Sequence, residues 1–170
     1  MDKNETKNSI KDDILFLAIK ITIFIVLLVV TFSFVFGIFR CNNNMMSPSY
    51  KDGDLAIYYR LQREYKPLDT VIIEKNGEKQ VRRIIAKEGD IVDITKEGLK
   101  INGYLQQESE IYTDTLLYKD GISFPLTVGK GEYFVLGDNR KNAKDSRIYG
   151  TIKQKEIKGI VMTLIRRRGL

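Results

Sequence analysis

The chain has 170 residues, a net charge of +6, one cysteine and no histidine. That length fits one compact domain plus a tail. Without histidine there is no Ser-His or Cys-His triad and no histidine-ligated zinc site. With Cys41 alone there is no intramolecular disulfide, so the domain must be held by its core.

Residues 1–13 are polar and charged and read as a short flexible tail. From Ile21 to Phe39 the sequence is apolar except for Thr22, Thr31 and Ser33, and it carries no charge. As a helix this run is about 28 Å long, close to the hydrocarbon thickness of a bilayer. Apolar residues continue upstream to Ile14, and Lys20 can snorkel toward the head groups. A buried core helix would not be apolar on every face, and no small-x-small cleavage site follows as it would after a signal peptide. Residues 14–39 are therefore expected to be an uncleaved single-pass anchor, followed by an outer domain over 40–170. Lys3, Lys7, Lys11 and Lys20 precede the span and only Arg40 follows closely, which favours a cytoplasmic N-terminus. The positive charge then points to anionic lipid heads or cell-wall polymers, with no nucleic acid as partner. Cys41 is expected to be packed at the membrane edge, with lipidation as the alternative. The terminal Ile165-Arg166-Arg167-Arg168-Gly169-Leu170 fits either a membrane-surface segment or a solvated tail.

Past a polar connector at Arg40 to Asn44, short β-type runs dominate. Leu55–Tyr59 and Val71–Ile73 read as strands, and Asn76-Gly77 signals a hairpin leading into Gln80–Ala86. Alternation in that strand puts Val81, Arg83 and Ile85 on one face and Arg82, Ile84 and Ala86 on the other. Ile91–Ile94, Leu99–Ile101 with an Asn102-Gly103 turn, Glu132–Leu136 and Ile157–Ile165 complete the strands. Turn signals at Asp120-Gly121 and Gly129-Lys130-Gly131, and the lack of a second helical pattern, predict a mainly β domain partly rolled into barrels. Tyr104 to Phe124 is a polar, tyrosine-containing excursion that fits a variable hairpin or a partner-binding loop.

Four segments carry a more specific signal. The first is Met45-Met46-Ser47-Pro48-Ser49-Tyr50 with Gly53-Asp54. The second is Pro67-Leu68-Asp69-Thr70-Val71-Ile72, and the third is Arg82-Arg83-Ile84-Ile85-Ala86-Lys87-Glu88-Gly89-Asp90. The fourth is Gly137-Asp138-Asn139-Arg140 followed by Ala143, Asp145-Ser146-Arg147 and Gly150. In order and spacing they resemble the motifs of type I signal peptidases, which cleave with a Ser/Lys dyad. The resemblance puts the nucleophilic serine at position 45, the lysine base at 82, and the serine that orients that lysine at 143. This chain has Met45, Arg82 and Ala143 there. A thioether has no proton to lose, and a guanidinium stays protonated and cannot accept one.

The resemblance implies a signal-peptidase-like β domain behind a single N-terminal transmembrane helix, with no cofactor and no metal. Met46, Pro48, Asn139, Arg140 and Ser146 belong to its motif frame, and Arg83–Asp138 and Asp145–Arg147 are expected as ion pairs. The frame residues are kept while the proton-transfer residues are not, which suggests a fold retained for something other than hydrolysis. Active relatives hold the stretch before a cleavage site as an added β-strand, a mode that needs no dyad. The expected function is a non-catalytic homologue binding a secreted polypeptide. Similar degenerate proteins occur in pilus-assembly loci of Gram-positive cocci, where they act as assembly factors beside pilin subunits and sortase. The alternatives are a working type I signal peptidase and a regulatory subunit of one. A relocated dyad using Ser47 or Ser49 with Lys79 or Lys87 fails on register, since Ser47 lies roughly 6 to 7 Å along from position 45 on an extended segment and a nucleophile–base pair needs about 3 Å.

Overall fold

The computed structural model describes residues 3–108 and 111–166, with side chains from residue 11 onward. The chain divides into two compact units between Phe36 and Gly37. The first contains a single helix, α1 (Lys3–Val35). Within it Lys11–Val35 is a stretch of 25 residues, long and apolar enough to cross a membrane. Two sequence expectations change here. Residues 3–13 are helical rather than a flexible tail, because Glu5 and the lysines among them are good helix formers that extend the apolar helix upstream.

The apolar run also does not stay helical to Phe39. Phe36–Arg40 forms strand β1, so the anchor helix stops at Val35. The β-branched and aromatic Phe36, Ile38 and Phe39 suit a strand, and Gly37 lets β1 pass the Tyr58 ring, which a β-carbon at 37 would overlap.

The second unit holds two antiparallel sheets. Besides β1, the first sheet contains β2 (Leu55–Tyr59), β3 (Thr70–Lys75), β4 (Glu78–Lys87), β9 (Glu132–Leu136), β10 (Ile152–Lys153) and β11 (Ile157–Ile165). The second contains β5 (Ile91–Thr95), β6 (Gly98–Ile101), β7 (Tyr104–Leu105) and β8 (Leu126–Thr127). Strand order is β1-β2-β11-β3-β4-β9-β10 in one and β7-β6-β5-β8 in the other. The mainly β architecture is as the sequence reads. Asn76 and Gly77 have φ of 53° and 81°, and Asn102 and Gly103 have 53° and 85°; both pairs are two-residue hairpin turns of the primed kind.

Long β4 organises the domain. Val81 packs with Cys41, Met46, Ala56, Tyr58 and Ile72, and Ile84 packs with Val71, Ile73, Val135 and Ile152. Ile85 and Ala86 both enter a third cluster with Val92, Leu99, Phe134 and Leu136. Strict alternation would have separated these last two. The pairing of β4 with β9 shifts register between Ile84 and Ala86, and the bulge turns both toward one side.

A single helical turn, α2 (Ser146–Tyr149), is capped by Asp145, whose carboxylate accepts from Arg147 N–H. Four residues are too few to leave a periodic pattern, which is why no second helix is legible in the sequence. Cys41 is buried, and burial, reinforced by Asp54 and Asp52, pushes its thiol pKa up to about 11. It is packed and protonated, as expected. Of the C-terminal arginine run, 167–170 lie outside the described residues.

Residues 66–69 form a tight turn closed by Asp69 N–H donating to Lys66 C=O at 3.1 Å, with Pro67 second and Leu68 third. Leu68 has φ of 77° and is 70% exposed. This is the type II arrangement, which wants glycine in the third place. A side chain in the left-handed region costs ~1–2 kcal/mol, partly offset because glycine is floppier when unfolded. Leu68→Gly should therefore stabilise the domain by about 0.5–1 kcal/mol, read as a rise in thermal midpoint.

Candidate functional site

The site forms where the turn bearing Met45 lies against β4 and the segment 137–147. Met45 C=O accepts from Asn139 N–H at 3.0 Å, and Asn139 Nδ2 donates to Asn44 C=O at 3.1 Å. Asp138 N–H points at the Met46 thioether, 3.4 Å away. Gly137 permits this approach, since a β-carbon there would overlap Ala143 and lie 2.6 Å from the Met45 carbonyl oxygen. Met45 and Ala143 are thus brought to one place across nearly a hundred residues of sequence.

Arg82 completes the group from β4. It is buried, at 1% exposure. Its Nε and Nη2 donate to Lys144 C=O at 3.1 and 2.6 Å, and its Nη1 donates to Val81 C=O at 2.5 Å. Nη2 also faces Met45 Sδ at 3.2 Å. Residues 45, 82 and 143 are therefore gathered at one place, and no hydroxyl or amine stands at any of the three positions.

Around them the ionic frame is dense. Arg83 grips Asp138 through two bonds, Nε–Oδ1 at 2.8 Å and Nη2–Oδ2 at 2.6 Å. The buried Asp138 contact, outweighing the cost of burial, raises the Arg83 pKa further. Arg147 grips Asp145 likewise at 2.9 and 2.8 Å, and Asp145 Oδ2 also accepts from Gly137 N–H. Ser146 Oγ accepts from Val135 N–H at 3.0 Å, a buried bond joining α2 to β9. Pro48, after a cis bond, lies in the exposed part of the Met45 turn.

Several participants carry no motif. Asn43 Oδ1 accepts from Met45 N–H at 3.0 Å, so the backbone donor beside position 45 is already engaged. The buried Tyr149 hydroxyl lies beside Arg82. Burial raises its pKa well above the usual phenol range, and the Arg82 charge offsets this only in part. The excursion after β7 proves to be docked on the 137–147 segment. Glu108 pairs with Arg140 at 2.5 Å, Thr115 accepts from Arg140 Nη1, and Tyr118 Oη bonds to Ala143 C=O at 2.9 Å. Leu116 C=O accepts from Arg147. Desolvation lowers the Arg140 pKa, with Glu108 opposing it. Nothing in the spacing of Glu108, Thr115 or Tyr118 announces these contacts, which are purely tertiary.

Comparison with known proteins agrees with the motif order. The family model described as "Signal peptidase, peptidase S26" matches residues 14–165. The chain belongs to the signal peptidase family. It is 34% identical over 169 residues to a signal peptidase I of Bacillus licheniformis, with 91% of this chain and 90% of that one covered. It is 29% identical to signal peptidase IB of Staphylococcus aureus strain COL, covering 89% and 88%. A crystal structure of a signal peptidase I from Enterococcus faecalis V583 overlays with a TM-score of 0.49 at 28% identity, covering 58% of this chain and 97% of that one. As a member of this family the chain has an N-terminal apolar helix compatible with a membrane anchor.

Beside Met45 this signal peptidase relative has a recess lined by Phe39, Cys41, Asn43, Met46, Gln80 and Val81, with about 10 Å³ of free space. That is room for one water-sized group. Gln80 Oε1 is buried without a hydrogen-bond donor among the described residues.

Proposed function

We propose that this member of the signal peptidase family binds an exported polypeptide without cutting it. The carrying observation is Arg82, whose guanidinium is sealed against two carbonyls and the Met45 thioether. A group that cannot release its proton cannot act as base, and sulfur bearing a methyl cannot act as nucleophile. Lys79 and Lys87, the two lysines of β4, are exposed, so neither stands in the desolvated setting from which a lysine activates a nucleophile. A bound segment would lie as an added strand beside the Met45 turn and β4.

The finer reading is an assembly factor for pilus polymerisation, with pilin subunits and a sortase as partners. It has a single pass through the lipid bilayer, a cytoplasmic N-terminus and an extracellular β domain. The names of the relatives favour a second reading, an active signal peptidase. The full chain in detergent, incubated with a preprotein, should yield no mature product under conditions where an intact signal peptidase processes it. Mature product from the unaltered chain would establish the second reading. Cross-linking of the full chain in cells to pilin subunits would support the assembly role, and its absence beside unaltered pili would remove it.

A further inference from the structure

Four arginines and three carboxylates meet around the cleft. Asp138 takes Arg83, Asp145 takes Arg147 and Glu108 takes Arg140. Arg82 is the fourth arginine, and among the described residues it forms no ion pair although only 1% of it is exposed. Its partners are carbonyl dipoles and a thioether, with the Tyr149 hydroxyl beside it. Dipoles solvate a charge without neutralising it, and sulfur is a weak acceptor. A buried cation without an anion is an expensive arrangement, and one missing anionic oxygen would relieve it.

We propose that Arg82, with Met45 as a movable cover, is a receptor for a carboxylate. The cleft takes a polypeptide by its free C-terminal α-carboxylate, rather than gripping an uncut chain. This rests on the reading of the cleft as a non-catalytic peptide site. A scissile amide offers one partially charged oxygen. A terminal carboxylate brings a full charge to the Nη2–H that the thioether now covers, the remaining guanidinium donors being held by carbonyls.

The Nη2–Sδ contact is the one such an oxygen would replace. Met45 is half-buried, and its unbranched side chain has three rotatable bonds. Its backbone is held independently, by Asn43 at the N–H and Asn139 at the C=O, so the thioether can swing aside while the turn stays put. The ligand class is a peptide chain end, of the kind left after a peptide bond has already been hydrolysed.

The test uses the full chain in detergent micelles and an N-terminally dye-labelled peptide, Leu-Leu-Leu-Ala-Leu-Ala, as free acid and as C-terminal amide. Fluorescence anisotropy at pH 7 should show the acid binding at least tenfold more tightly. Met45→Ala should strengthen acid binding several-fold and leave the amide unchanged. Arg82→Gln, checked for folding by its thermal melt, should abolish the preference. If that variant does not fold, the acid-to-amide ratio and the Met45→Ala response decide alone. Unlabelled acetate should compete only at concentrations more than a hundredfold above the peptide; parity with the peptide would reduce the site to a small-anion site and overturn the proposal. Equal affinities for acid and amide would overturn it while leaving the non-catalytic groove intact. No binding of either peptide would overturn both.

Discussion

The triple variant Met45→Ser/Arg82→Lys/Ala143→Ser is expected to cleave a preprotein that, on the proposed reading, the unaltered chain leaves whole. Met45→Ser alone should do nothing, because the neighbouring guanidinium cannot take the hydroxyl proton. Arg82→Lys supplies a group that can, provided it loses its own proton near neutral pH. Two effects compete there. Burial at 1% exposure disfavours the ammonium and depresses the pKa, while the Val81 and Lys144 carbonyls that now hold Arg82 would stabilise it. Desolvation reaches several pKa units for a fully buried lysine and should win. The cleavage rate should then rise with pH through the lysine pKa. Ala143→Ser adds the orienting hydroxyl, and the double variant lacking it should be about ten- to a hundredfold slower if that hydrogen bond contributes ~1.4–2.7 kcal/mol. A folded triple variant with no activity would mean that the substrate groove has changed too, and the exposed side of the 104–124 excursion, with Tyr112, Leu116 and Leu117, would be the next surface to probe.

Asp145→Ala should unfold the β domain at or near 37 °C. This carboxylate is fully buried and has three tasks: it pairs twice with Arg147, caps α2 through Arg147 N–H, and accepts from Gly137 N–H. Removing it strands a guanidinium that is itself 2% exposed. Breaking one side of a buried pair costs ~3–5 kcal/mol, and losing a helix cap adds about 1 kcal/mol. Against a typical total of ~5–15 kcal/mol, that is a thermal midpoint lower by some tens of degrees at most and by more than about ten at least. Circular dichroism melts would measure it; a midpoint within a few degrees of the unaltered chain would show that the network is ornamental. Asp145→Asn, which keeps the shape and some acceptor capacity, should fall between the two.

The residues that could be read in advance are those whose chemistry is local. Asn76-Gly77 dictates a hairpin through its own backbone preferences, and the register of β3 on β4, Thr70 opposite Arg83 through Lys75 opposite Glu78, follows from it. The Arg83–Asp138 and Asp145–Arg147 pairs could be expected only through the resemblance of their segments to the family motifs, since Asp138 finds its partner 55 residues away on β4. What stayed hidden depends on partners far away in sequence. The apolar run to Phe39 gives only a weak local sign of its change from helix to strand at Phe36, because the strand is completed by its pairing with β2, where Gly37 leaves room for the Tyr58 ring. The bulge at Ile84–Ala86 answers to β9, not to the pattern within β4. Glu108 reaches Arg140 across 32 residues of sequence, so a polar excursion without a motif was the most that could be said of it.

The guanidinium at position 82 also fixes how the cleft answers to acidity. A lysine base works only above its own pKa, so a site built on one switches off as the surroundings become sour. Arginine holds its charge at any pH a cell surface meets, and a peptide α-carboxyl keeps its own down to about pH 3.5. Recognition of a chain end at this arginine should therefore be level from about pH 5 to 10, where a lysine-based site would switch from off to on.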